Sequence, residues 1–250
     1  MHDDRLSGHV SVVTGASSGI GAGVARALAA AGASVVVVAR RRARLDELVV
    51  ELAGAGASAI AIEADVTDAA QIDATIATVL ERFGRIDSVV NSAGVMLSAR
   101  VADASLGDWQ AMIDINLLGL MTMCKAAFAP MRARGSGHIV NVSSISARLA
   151  NAGSPAYAAS KAAVNAFSES LRKEGSSQGI RVTTVLPGIV DTELFDHVSD
   201  PATQARFRGM LETMTPLTAA DLGNAIAYVL AQPPHVSINE LVIRPTKQLD

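Results

Sequence analysis

Short runs of β-branched residues alternate along the chain with longer stretches rich in alanine and leucine. The short runs HVSVVTG (9–15), SVVVVA (34–39), SAIAIEAD (58–65), IDSVVNSAG (86–94), GHIVNVSS (137–144), IRVTTVLPG (180–188) and ELVIRP (240–245) predict strands. Between them, helical spacing predicts helices over 19–31, 43–53, 69–83, 108–134, 156–174 and 218–231. Strands this uniformly apolar suit a sheet covered on both faces. Regular alternation of the two element types predicts βαβ units, a parallel sheet and right-handed crossovers. The expected architecture is a doubly wound α/β fold, with 1–250 as a single domain.

One connection breaks the rhythm. The segment 189–217, IVDTELFDHVSDPATQARFRGMLETMTPL, is longer and more polar than the others and follows the C-terminal end of a strand. Open α/β sheets bind ligands at that edge, so the segment is either a substrate lid or a surface helix-turn-helix.

Composition narrows the classes. Half of the 250 residues are hydrophobic but only 3% are aromatic, so Ala, Val, Ile and Leu must fill the core. A net charge of -3 gives no drive toward nucleic acid or an anionic membrane. The one cysteine, Cys124, excludes an intramolecular disulfide and fits a small buried apolar residue. The N-terminal MHDDRLSGHV carries acids and no long apolar run, unlike a signal peptide, and no stretch reaches about 18 uncharged apolar residues. A soluble, cytoplasmic protein without a metal site is expected.

The first strand runs into TGASSGIG, with Gly15, Gly19 and Gly21 ahead of an amphipathic helix. Glycine is needed where a chain turns sharply and where a phosphate approaches the backbone, and a helix N-terminus offers it free N–H groups. The alternative is a plain strand-to-helix turn. After the second strand a dinucleotide fold often has an acid for the ribose 2′-hydroxyl, but this chain has Arg40 and Arg41. Arginine pairs bidentately with a 2′-phosphate, which a carboxylate would repel. The pattern therefore favours NADP(H), unless both arginines are simply solvated at a helix start. Asp65 and Val66, closing the third strand, could meet an adenine, or Asp65 could act as an N-cap-like residue beside Thr67.

Tyr157 is one of only two tyrosines, and it lies four residues before Lys161 in SPAYAASK. Positions i and i+4 share a helix face. A phenol near pKa 10 is a poor proton relay at neutral pH, and a nearby ammonium lowers it toward the useful range. The spacing alone also arises by chance. Ser143 and Ser144 end the fifth strand at the edge that carries the glycine loop, where a hydroxyl could hold a carbonyl oxygen. Asn116 is a polar residue in an apolar helix, either a buried, satisfied amide or an anchor for a water near Lys161.

Together TGASSGIG (14–21), DV (65–66), NSAG (91–94), Asn116, VSS (142–144), YAASK (157–161) and PGIVDT (187–192) resemble the short-chain dehydrogenase/reductase family, in family order and over nearly the whole chain. The resemblance implies a Rossmann-like sheet of about seven strands in the order 3-2-1-4-5-6-7. It implies Tyr157 as catalytic acid/base, Ser144 (the second serine of its pair) as the group polarising the carbonyl, and Asn116 as support for a proton relay. Lys161 would bind the nicotinamide ribose and lower the tyrosine pKa. It also implies cofactor contacts at Gly15, Ser17, Ser18, Gly19, Ile20, Gly21, Arg40, Arg41, Asp65, Val66, Asn91, Ala93 and Gly94. Further contacts fall at Tyr157, Lys161, Pro187, Gly188, Val190 and Thr192, the last beside the nicotinamide carboxamide unless it caps a helix. The chain has Ser92 where the family usually has a second Asn. The tail HVSINELVIRPTKQ is similar to a narrower group of 3-hydroxy acid (serine) dehydrogenases and clavulanic aldehyde reductases, which tend to use NADP.

The implied activity is an NADP(H)-dependent interconversion of a carbonyl and an alcohol on a small molecule, by a homo-oligomer, dimer or tetramer. Met96, Leu97, Ile145, Leu149, Leu194, Phe195, Phe207, Met210 and Met214 are candidates for an apolar substrate wall, unless the Met and Leu residues are simply core. Arg148 either pairs with a substrate carboxylate or faces solvent. The competing functions are an NAD-dependent alcohol dehydrogenase and a dinucleotide sensor or scaffold without turnover. An extended-family epimerase or dehydratase fits the short chain and glycine spacing poorly.

Overall fold

The computed structural model describes residues 5–194, Val198 and 201–249, without the side chains of 201–203 and 206–208. Its strands are β1 (Val10–Thr14), β2 (Ser34–Ala39), β3 (Ala59–Glu63), β4 (Ser88–Asn91), β5 (Gly137–Val142), β6 (Ile180–Pro187) and β7 (Glu240–Ile243). They form one sheet in the expected order, β3-β2-β1-β4-β5-β6-β7, and every pairing is parallel. The helices are α1 (Gly19–Ala30), α2 (Arg42–Gly54), α3 (Ala69–Phe83), α4 (Leu106–Ile113), α5 (Leu120–Arg134), α6 (Pro155–Ser176), α7 (Pro201–Thr213) and α8 (Ala219–Leu230).

Strand alternation feeds two cores. Val13, Val35 and Val37 pack with Val24 and Leu28 of α1, Leu45 of α2 and Ile226 of α8. Val12, Val36 and Val38 point the other way, against Ile72 of α3, Met123 of α5 and Val164 of α6. Each buried aliphatic side chain contributes roughly 1.5–3 kcal/mol relative to exposure. Cys124 is one of the fully buried residues, and burial pushes its thiol up to about 12.

The predicted helix 108–134 is a continuous helical run interrupted by a π-helical segment, Asp114–Gly119, between α4 and α5. By length and composition this run, Leu106–Arg134, could cross a membrane, with a mean hydropathy of 1.4. A search for uncharged residues misses it because Asp114 and Lys125 interrupt it. Its apolar residues Met123, Cys124, Ala127 and Met131 are buried in the core beside α3 and α6. The segment 189–217 contains α7, and an isolated bridge between Val190 and Leu217 brings its two ends together.

α1 carries the glycine loop at its N-terminus, and its position is set by backbone contact with α8. A Cβ on Gly23 would lie 2.2 Å from the Ala219 carbonyl oxygen, and one on Gly223 would lie 2.4 Å from that of Gly23. No L side chain fits without separating the helices. Gly23→Ala is expected to lower unfolding free energy by about 1–3 kcal/mol in urea titration. An unchanged midpoint would show that the helices have room to part.

Candidate active site

The C-terminal ends of β1, β2, β4 and β5 open onto a cleft of about 360 Å³. β1 ends in Thr14, and Gly15 turns with φ +67. A Cβ on Gly15 would meet the Ala93 nitrogen at 2.7 Å, so this loop and the NSAG segment touch backbone to backbone. Thr14 Oγ1 joins them by accepting from the nitrogens of Ser92 (3.1 Å) and Ala93 (3.3 Å). The expected strand end at 86–94 therefore stops at Asn91, because the next amides bond to a side chain rather than to a neighbouring strand. α1 then begins without a side-chain cap and without an acid in its first turn. A naked helix start behind a tight glycine turn fits a pyrophosphate.

Gly15, Ser17, Ser18, Gly19, Ile20, Gly21, Arg40, Arg41, Asp65, Val66, Ala93, Gly94, Tyr157, Lys161 and Thr192 all line this cleft. Asn91 lies behind it, donating to Asn141 Oδ1 (2.9 Å) and Cys124 Sγ (3.3 Å). Pro187 ends β6 in register with Ile243, and Val190 is buried in the bridge to Leu217. Gly188 lines a second cavity instead. Asp65 makes the local turn: its Oδ1 accepts from Thr67 nitrogen (2.9 Å) and hydroxyl (2.8 Å), while Asp68 caps α3.

At the far end of the cleft, Arg41 donates to Ser17 Oγ (3.0 Å), Ser18 Oγ (2.6 Å) and Glu193 Oε2 (2.9 Å). Arg44, one turn into α2, holds the other oxygen of Glu193. Arg40 lies 3.6 Å from Asp65 Oδ2 and is largely exposed. The motif reading missed Arg44 and Glu193. Their only sequence signal is a fourth arginine in the same run and an acid beside Thr192.

Tyr157, Lys161 and the serine pair come together where α6 meets β5. Pro155 opens α6, and Tyr157 and Lys161 stand on its buried face. Lys161 Nζ donates to the Val142 carbonyl (2.9 Å) and lies 5.9 Å from the Tyr157 ring centroid. Burial lowers the lysine to about 8. Burial also raises the Tyr157 phenol above its ordinary value, opposed in part by a hydrogen bond with Ser144. The expected lowering by the ammonium is not the governing effect here, since the phenol itself is stripped of water.

The two serines divide their work. Ser143 Oγ donates to the Lys161 carbonyl (3.1 Å), whereas Ser144 Oγ accepts from Ser146 nitrogen (3.1 Å) at a half-turn after β5. Asn116 is fully buried in the π segment. Its Oδ1 accepts from Val95 nitrogen (2.8 Å), and its Nδ2 donates to Val95 oxygen (2.9 Å) and Ser160 Oγ (3.1 Å). It is a satisfied amide near the lysine: a Cβ on Gly94 would lie 3.2 Å from Asn116 Oδ1 and 3.5 Å from Lys161 Nζ.

Beyond Tyr157 lies the second cavity, of about 310 Å³. Met96, Ile145, Leu149, Leu194 and Met210 line it as expected, and Leu97 and Met214 do not. Phe195 and the side chain of Phe207 lie outside the described residues. Ser146, Asn151, Ser154 and Gln248 add polar atoms that the motifs did not single out. Gln248 reaches in from the tail, and its Oε1 accepts from Ile189 nitrogen (2.9 Å) where Gly188 leaves room. Arg148 is exposed and ion-paired with Glu240, away from the cavity wall.

Comparison with known proteins agrees with this geometry. The family model for short chain dehydrogenases matches residues 9–202. An oxidoreductase of Staphylococcus haemolyticus is 39% identical over 241 residues, which cover 96% of this chain and 99% of that protein. The closed form of serine dehydrogenase complexed with NADP+ superposes with a TM-score of 0.87 at 34% identity, covering 96% of each chain. An alcohol dehydrogenase from the archaeon Thermococcus sibiricus, complexed with 5-hydroxy-NADP, gives a TM-score of 0.85 at 30% identity, covering 97% of this chain and 98% of that one. With a cofactor-shaped cleft, the Ser-Tyr-Lys group at its end and these relatives, the chain belongs to the short-chain dehydrogenase family of oxidoreductases.

Proposed function

We propose that the protein is an NADP(H)-dependent carbonyl reductase, running in reverse as an alcohol dehydrogenase on a small molecule. The observation that carries this reading is the place of Tyr157, which lines both the cofactor cleft and the second cavity. A substrate carbonyl in that cavity would meet the phenol on one side and the nicotinamide end of the cleft on the other. NADPH, when bound, supplies a hydride from nicotinamide C4 to the carbonyl carbon.

The chain's residues handle the oxygen and the proton. Ser144 hydrogen-bonds the carbonyl oxygen and draws electron density toward it. Tyr157 gives its phenolic proton to that oxygen as the alcohol forms. Burial keeps the proton on the phenol at neutral pH but weakens it as an acid, so its release needs the neighbouring charge of Lys161. Lys161, beneath the ring, holds the nicotinamide ribose and stabilises the phenolate left behind. Asn116 positions Val95 and Ser160 around that lysine rather than touching substrate. Arg41, on the glycine loop's serines, supports NADP over NAD, as do the NADP ligands named for the two solved relatives.

Tyr157→Phe should cut turnover about 10²- to 10⁴-fold while NADPH affinity, read by fluorescence titration, stays near wild type. Retained turnover would refute the acid role. Arg41→Ala should raise the KM for NADPH about tenfold and leave that for NADH nearly unchanged. A wild type that favours NADH would overturn the cofactor assignment. The rate of carbonyl reduction should be level below pH of about 8 and fall above it, where Lys161 loses its charge. A profile rising through that range would contradict the mechanism.

A further inference from the structure

The start of α2 carries four arginines in ARRRAR, and each has a carboxylate partner. Arg40 faces Asp65 at 3.6 Å, Arg42 bonds Asp46 at 2.8 Å, and Arg41 and Arg44 share Glu193. Glu193 comes from the segment after β6, 152 residues beyond Arg41 in the chain. It spreads its two oxygens over two guanidiniums, while Arg41 also holds Ser17 and Ser18 of the glycine loop. The Arg42 pair is an ordinary contact between neighbouring turns of one helix. The Glu193 contact joins the rim of the cofactor cleft to the root of 189–217.

An anion gripped by two guanidiniums at this spot is chemically what a phosphate would be, since arginine recognises carboxylate and phosphate with the same fork of donors. Glu193 and Arg41 both line the cleft beside Ser17, Ser18 and Arg40. The arginines hold Glu193 down to about 2, so it is ionised throughout the neutral range. A second anion placed on the same guanidiniums would repel it at close range. The ion pairs are also open to solvent, with Glu193 41% and Arg41 43% exposed, so their exchange is not blocked by burial.

We propose that Glu193 is an internal competitor of the adenosine 2′-phosphate for Arg41 and Arg44, and thereby sets the cofactor affinity of this enzyme. The inference rests on the NADP(H) reading above. Binding of the phosphate moves the carboxylate off both arginines, and Arg44 becomes the phosphate's second cation. The flanking residues carry the consequence along the cleft. Thr192 packs beside Gly19, its Cγ2 3.1 Å from where a Cβ would stand, and Leu194 lines both the cleft and the substrate cavity. Release of Glu193 therefore loosens the strap that bears Leu194, linking the phosphate to the substrate wall. NADH, lacking the phosphate, leaves the clasp closed.

Titration calorimetry with 2′,5′-ADP and 5′-AMP, which differ by the 2′-phosphate, tests this without turnover. Glu193→Gln and Glu193→Ala should each bind 2′,5′-ADP about fivefold tighter than wild type, with 5′-AMP affinity within about twofold. Unchanged or weaker 2′,5′-ADP binding in both variants, beside a wild type that prefers it to 5′-AMP, would sink the competitor alone and make Glu193 a brace. Equal binding of the two probes by wild type would overturn the NADP(H) reading and the competitor with it.

Discussion

Lys161 reaches from α6 to the last carbonyl of β5, 2.9 Å away at Val142, with its side chain buried. An ammonium removed from water is costly, and its depression to about 8 records how far burial opposes the charge. The joint is stitched in the opposite sense as well, since Ser143 Oγ donates to the carbonyl of Lys161 itself. Next to it, Ser160 accepts from Asn116 and donates to the Tyr157 carbonyl. Tyr157 sits one helical turn before the lysine, so its ring can occupy only the strip that these bonds leave. The wall between the cleft and the second cavity thus depends on one helix being pinned to the end of one strand.

Most of the frame behind that joint was legible in the chain. Every predicted strand exists and every pairing is parallel, because uniformly apolar runs between helices have few arrangements that cover both faces, and the sheet order is the one the family resemblance implied. The glycine loop, Ser144, Tyr157 and Lys161 fall together because parallel strands deliver their C-terminal ends to one edge. Strand ends were read too long at 58–65 and 86–94, where side chains such as Thr14 and Gln71 take over the backbone donors. Ser143 and Ser144 differ in the structure by what each hydroxyl bonds, the first the Lys161 carbonyl and the second the Ser146 nitrogen.

What the sequence hid depends on distant partners. Glu193 reads as one more polar residue until Arg41 and Arg44 are seen on both its oxygens. Gln248 sits in an exposed-looking tail, yet it fills the space left by Gly188, 60 positions earlier by way of a bond to Ile189. Arg148, read as either a substrate partner or a solvent-facing residue, is paired in the structure with Glu240 at the start of β7. In each case residue type was visible and the partner was not, since pairing across such separations is set by the fold rather than by local spacing.

The π segment at Asp114–Gly119 shows how the fold accommodates the site. An extra residue in a helical turn rotates everything beyond it by about 100°. Before the segment, Met112 packs with Met96 and Tyr157; after it, Leu120 and Met123 pack into the core under the sheet. A single unbroken α-helical face would serve one of these clusters at the expense of the other. Asn116 stands at the changeover and spends its amide on Val95 and Ser160, which fixes the loop bearing Gly94 against Lys161. The irregular turn and the desolvated lysine both break local preferences, and both lie around the same cleft. Such departures persist only where surrounding packing over-determines them, and here the two cores on either side of the sheet provide it.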